Sequence, residues 1–191
     1  MLGEILAEFP RFRLVPKAGD RRSRLIDCCL RLCTMGRLDR YLTEYHTVLG
    51  DTLYLAPVWN EMDDRSRYVL LCHERVHLRQ RRRYGTLGLA LLYLLPLFPI
   101  GLALGRARIE WEAYRETLRA SAEAYGFEAL KQPNMRAQIV RRFTGSDYGW
   151  MWPFPRAITR WYDYAVEELR RNPAMWSNLQ VTNRGRASEE S

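Results

Sequence analysis

With 191 residues, 47% of them hydrophobic and 12% aromatic, the chain can bury one core but is short for two, which excludes a wholly disordered protein. Its formal net charge of +8 suits an anionic partner, whether nucleic acid or a membrane surface. Glu4 and Glu8 interrupt the N-terminal stretch where a secretory signal needs a basic start and an unbroken apolar run, so a cytoplasmic location is expected.

Asp20 is a helix start signal, and Leu25, Ile26, Cys29, Leu30 and Cys33 form the apolar side of a helix that ends near Gly36. Cys28, Cys29 and Cys33 crowd that helix and Cys72 lies far along the chain, so free, buried thiols are expected rather than disulfides or a thiolate metal site. "YHTVLGDTLYLAP" reads as a hairpin turning at Gly50 and Asp51. Asp63, Asp64 and Ser66 then open a long helix that Gly85 stops. Further helices are expected over about Arg106 to Tyr125, Asn134 to Phe143 and Pro155 to Arg171, with an aromatic turn, "DYGWMWPFP", before the last. The order predicts an α+β fold, mostly helical with a small antiparallel sheet or hairpin, in a single domain over residues 1–176. The polar, aperiodic residues 177–191 are expected to form a flexible tail.

The long helix carries "HERVH". Residues four apart lie one turn apart on the same helix face, so His73 and His77 can bring two imidazoles to one metal ion. Glu74, turned about 100° from His73, can reach a water on that ion without being a ligand. Arg75, Arg79 and Arg82 fall on the opposite side, which makes the histidine side the buried one.

Catalytic zinc commonly takes three protein ligands and leaves one position open. In "ARIEWEAYRETLRASAEAYG" only Glu110 shares a face with Ala113, Tyr114, Thr117 and Ser121, while Glu112, Glu116 and Glu123 lie on a charged face. The small residues Ala113, Thr117 and Ser121 allow close approach to the histidine helix, and an inward acid without a partner is costly to bury. The competing arrangement is a salt bridge from Glu110 to an arginine, with both histidines hydrogen-bonded in the core.

"HERVH" followed by "EWEAY" resembles the gluzincin kind of zincin metallopeptidase, H-E-x-x-H with a downstream E-x-x-A, over about Tyr45 to Arg115. The resemblance implies a zincin-like domain with its edge-strand hairpin beside the H-E-x-x-H helix. It also implies His73, His77 and Glu110 as Zn2+ ligands, Glu74 as general base, and a peptide or protein substrate. In several such families an acid four residues after the ligand glutamate orients a ligand histidine; here Tyr114 holds that position.

Residues 85–105 carry no charge and are long enough to span a bilayer, yet one crossing would put His77 and Glu110 on opposite sides of about 30 Å of hydrocarbon. Pro96 and Pro99 interrupt the segment and both flanks are basic, so a hairpin insertion is expected, either buried in protein or in peripheral contact with the inner face of a membrane. The arginines of Arg79 to Arg83 spread round the helix without a nucleic-acid-binding signature, so no nucleic-acid partner is expected. His46 on the edge strand and Tyr148 in the aromatic turn are further candidates for stabilising an oxyanion. The leading expectation is a zinc-dependent hydrolase of peptide amides. The alternatives left open are a noncatalytic membrane-associated or interaction protein with a structural metal site, closed by His46 as fourth ligand, and an inactive zincin.

Overall fold

The structure is a computed structural model that describes residues 1–21, 23–25, 27–28, 42–43, 45–94, 103–145 and 151–176. It belongs to the α+β class, with helices predominating over one three-stranded sheet. The hairpin forms from β2 (Thr47–Leu49) and β3 (Thr52–Leu55), paired antiparallel about Gly50, whose φ of 62° suits glycine at the turn. Two N-terminal elements appear that sequence patterning does not reveal. Helix α1 (Leu2–Glu8) leads into β1 (Arg13–Pro16), which runs parallel to β3 on its other side, so the sheet is mixed and ordered β1-β3-β2. β3 therefore sits in the middle, which explains why Leu53, Tyr54 and Leu55 are all buried; Pro16 is tolerated because β1 is an edge. A parallel pairing needs a crossover, and the residues between β1 and β2 provide it, beginning with a helical turn at which Asp20 Oδ2 accepts the Ser23 amide at 2.7 Å.

The long helix α2 (Asp64–Leu94) begins where predicted, with Asp63 Oδ1 accepting the Ser66 amide at 2.6 Å. Gly85 stops the first helical run as expected: at φ 69° and ψ 168° it is non-helical, and a second helical run follows across this kink to Leu94. Helix α3 (Leu104–Tyr125) runs back along α2. The antiparallel sense follows from contacts that march in opposite directions: Ser66 with Tyr125, Tyr68 with Glu123, His73 with Thr117, Gln80 with Ile109. A Cβ on Gly105 would stand 2.8 Å from the Leu92 carbonyl oxygen, so the segment past Gly85 also packs against the start of α3. The described ends of the apolar stretch thus lie together, and among the described residues no helix is long and apolar enough to cross a membrane.

Two apolar clusters flank this helix pair. Ile5, Phe9, Phe12, Leu53 and Leu55 join Leu71 and Leu78 of α2, binding α1 and the sheet to one side of that helix. The second cluster joins α3 to α4 (Pro133–Thr144) and α5 (Pro155–Arg171) through Leu118, Ala122, Phe143, Ile158 and Tyr162. Met151 lies in this core and Trp152 stacks on Trp161, so these residues of the aromatic turn serve packing. Tyr148 and the tail from Ser177 lie outside the described residues.

Arg75 and Arg79, opposite the histidines, both bind Glu8 at 2.8 Å and Arg75 also binds Glu4 at 3.0 Å, because α1 lies across that side of the helix. Two expectations need correction. Glu123 is buried like Glu110, and Arg119 at 2.8 Å together with the Tyr68 hydroxyl satisfies it. Cys28 is an exposed thiol, because it lies on the solvent side of its helical turn, whereas Cys72 is buried as expected and its thiol is pushed up to about 11 by burial. Cys29 and Cys33 lie outside the described residues.

Candidate metal centre

The two sides of α2 explain the position of the site. Leu71 and Leu78 face the sheet, and from nearly the opposite side His73, His77 and Gln80 face α3. Glu74 falls between the two sides. On α3 the small residues Ala113 and Ser121 are buried at the contact, so the backbones approach closely enough for short side chains to meet.

The atoms His73 Nε2 and His77 Nε2 lie 3.2 Å apart, and Glu110 Oε2 lies 4.0 Å from the first and 3.8 Å from the second. The far side of each ring decides what those nitrogens are. The Thr117 hydroxyl donates to the Ala113 carbonyl at 3.1 Å, so at 2.9 Å it accepts from His73 Nδ1–H. Gln80 Nε2 donates to the Ile109 carbonyl at 2.9 Å and to Glu112 at 3.0 Å, which turns its Oε1 toward His77 Nδ1 at 3.0 Å as the acceptor. Both imidazoles therefore carry their proton on Nδ1 and present an Nε2 lone pair to the other ring. Neither can donate to the other, and a carboxylate oxygen completes the ring of acceptors.

The three ligand atoms lie close enough together to hold one cation. A tetrahedral zinc ion with bonds of about 2.0–2.1 Å to nitrogen holds its ligand atoms about 3.3 Å apart. The two nitrogens already stand at that spacing, and the carboxylate needs to move inward by about half an ångström. Burial, followed by the neighbouring His77, pushes the His73 ring down to about 3, so it is neutral as a ligand must be. Among the described residues the cluster has three members; neither His46 nor Cys72 joins it.

Glu74 is buried at 6% exposure beside this cluster. Burial raises its carboxyl to about 7, against the opposing influence of His77 and Lys17. Lys17, at the end of β1, has no counterpart among the sequence-based candidates. It is 1% exposed, and its ammonium donates to the Tyr45 carbonyl at 2.7 Å and to Thr47 Oγ1 at 3.0 Å, fixing the entry to the edge strand. Burial lowers Lys17 to about 8, while Asp27 and Glu74 favour its charged form. Nothing in "RLVPKAGD" marks this lysine as internal; only the parallel pairing of β1 with β3 carries it there.

His46 immediately precedes β2. Its Nδ1 accepts the Ala56 amide at 3.3 Å, and its ring packs edge-on against Trp59. Burial, then the charge of Lys17, holds it down at about 4, so it is neutral with its proton on Nε2. Tyr114, in the position where several gluzincins carry an acid, packs edge-on against His73 with ring centroids 5.1 Å apart. It leaves orientation of that histidine to Thr117. Both imidazoles are thus oriented by uncharged acceptors, which withhold the added basicity that a carboxylate partner gives a ligand ring. Arg142 on α4 stacks over the Tyr45 ring at 5.3 Å, and its charge adds to the forces keeping His73 neutral.

Comparison of the chain with family models, with curated proteins and with solved structures finds no match in any of the three.

Proposed function

We propose that this chain is a zinc-dependent, peptidase-like hydrolase of the zincin kind. The reading rests above all on the convergence of three ligand atoms, from His73, His77 and Glu110, next to the buried carboxyl of Glu74. Those three side chains would hold the ion, which when bound supplies a Lewis acid for a polarised carbonyl and an acidified water. A set of three protein ligands is the pattern of catalytic rather than structural zinc, since a structural site is closed by a fourth.

The remaining work falls to the chain itself. Glu74 takes a proton from the attacking water and returns it to the leaving amine, a role that typically contributes about 10² to 10⁴ in rate. Thr117 and Gln80 hold the rings by their Nδ1 protons, so that the Nε2 lone pairs stay directed inward. β2 is an edge strand of the sheet, and Lys17 anchors its approach through Tyr45 and Thr47. An extended peptide can add to such an edge by main-chain hydrogen bonds, which favours a peptide or unstructured protein as substrate. His46, neutral and beside that edge, is suited to donate from Nε2 to a developing oxyanion.

Elemental analysis combined with cleavage of an unstructured protein tests the reading. Wild-type protein should hold one zinc per chain and cleave. His77→Ala should lose the metal, and Glu74→Gln should keep it while losing at least 10²-fold in turnover. Full activity in Glu74→Gln, or a wild-type protein that binds no divalent metal, would overturn it.

A further inference from the structure

Beyond the metal centre, the two described helical segments of the apolar stretch expose side chains for which the core supplies no cover. Leu87 is 75% exposed and Leu91 49% exposed, and they lie four residues apart on one face of the segment after Gly85. Leu104, at the start of α3, is 54% exposed. The close approach of Leu92 and Gly105 brings these two segments together, so the leucines lie in one region of the surface. Scattered exposed leucines are ordinary on a protein surface, but three on two adjoining segments of an uncharged stretch are a patch.

Cations flank these leucines. Arg82 and Arg83 are exposed just before the bend, Arg82 with Glu8 at 3.8 Å, and Arg108 is exposed one turn past Leu104. No acid lies between Arg82 and Arg108 in the sequence. Exposed apolar side chains bordered by cations match the layering of an anionic membrane surface, with acyl chains within and phosphate above them.

We propose that this surface docks the protein on an anionic phospholipid bilayer, Leu87, Leu91 and Leu104 entering one leaflet and Arg82, Arg83 and Arg108 meeting its headgroups. The charge asymmetry favours lipid over a second copy of this chain, because two such surfaces would bring two sets of arginines together. Docking does not depend on metal: the leucines and arginines lie outside the His73, His77 and Glu110 cluster.

Flotation of the full chain with vesicles of equal phosphatidylglycerol and phosphatidylcholine, beside pure phosphatidylcholine, tests the proposal. The wild-type protein should float with the anionic vesicles and much less with the neutral ones. The Leu87→Asp, Leu91→Asp double variant should partition at least tenfold more weakly, the least expected if even one leucine leaves an apolar phase. Its far-UV circular dichroism and zinc content should stay at wild-type levels, and a Leu87→Ser, Leu91→Ser pair gives the same readout if aspartate disturbs the fold. Arg83→Gln with Arg108→Gln should weaken binding and flatten its dependence on salt. The proposal fails if wild-type protein floats with neither vesicle, or if the leucine variants bind as tightly as wild type. A wild-type dimer that the leucine variants dissociate, without vesicle binding, would assign the patch to a second copy instead. Loss of zinc binding in His77→Ala with flotation unchanged would separate failure at the metal centre from failure at this surface.

Discussion

Replacing Gln80 by leucine isolates the support of one metal ligand from the ligand itself. The amide is 3% exposed and makes three hydrogen bonds: to His77 Nδ1–H at 3.0 Å, to the Ile109 carbonyl at 2.9 Å and to Glu112 at 3.0 Å. Leucine fills a similar volume, so cavity formation contributes little and the loss is polar. The Ile109 carbonyl keeps its place in the helical ladder of α3, and Glu112 is half-buried and regains water. His77 Nδ1–H does neither, and an unpaired donor in such a place costs about 1–3 kcal/mol. With about 1 kcal/mol for the bonds lost elsewhere, Gln80→Leu should destabilise the metal-free protein by about 2–4 kcal/mol. The freed ring can also shift its proton to Nε2 and so lose its inward lone pair. Zinc affinity should therefore fall about 10- to 100-fold, the usual effect of removing a group that orients a ligand. Urea unfolding in excess chelator measures the first quantity, and competition with a chromophoric chelator the second. If zinc affinity stays within threefold of wild type, Gln80 does not orient His77 and the assignment of both ring protons loses its basis.

Two other perturbations test the scaffold. Gly85→Ala meets no atom within 4 Å of the added Cβ, so its cost is purely that of φ 69° with ψ 168°, about 1–3 kcal/mol, read as a lower Tm. Glu8→Gln removes the anion shared by Arg75 and Arg79 and should cost on the order of 1 kcal/mol at neutral pH. The Arg79 guanidinium holds the Glu8 carboxyl down at about 2 from an ordinary 4.5. A depressed carboxyl stabilises the fold above its unfolded value and loses that contribution as pH falls toward its folded one. The stability difference between wild type and Glu8→Gln should therefore be constant above about pH 5 and close between pH 4.5 and 2. A difference that persists unchanged at pH 2 would show that the pair contributes nothing electrostatic.

Local patterning carried much of the fold because its signals act over a few residues. Asp63 and Ser66 mark the start of α2, Gly50 and Asp51 mark the hairpin turn, and Pro155 and Arg171 bound α5 as periodicity implies. The inward placement of Glu110 was also legible, since helical geometry assigns faces from spacing alone. Gly85 was legible as a stop as well, since its positive φ breaks the helical run; that a second run follows at once and packs Leu92 against Gly105 is a tertiary outcome.

What tertiary structure alone decided are the relations between distant segments. β1 has no strong pattern of its own; it becomes a strand by pairing with β3, and that pairing buries Lys17 beside Glu74 and the edge strand. Thr117 and Gln80 look like a small residue and a polar one until the antiparallel contact of α2 and α3 sets one against each histidine. The chain's own letters determined which side chains can donate an electron pair and which helix face bears them. The pairing of remote elements determined where the protons on those rings reside, because a hydrogen bond needs its partner within about 3 Å and no spacing along one helix can supply a partner from another.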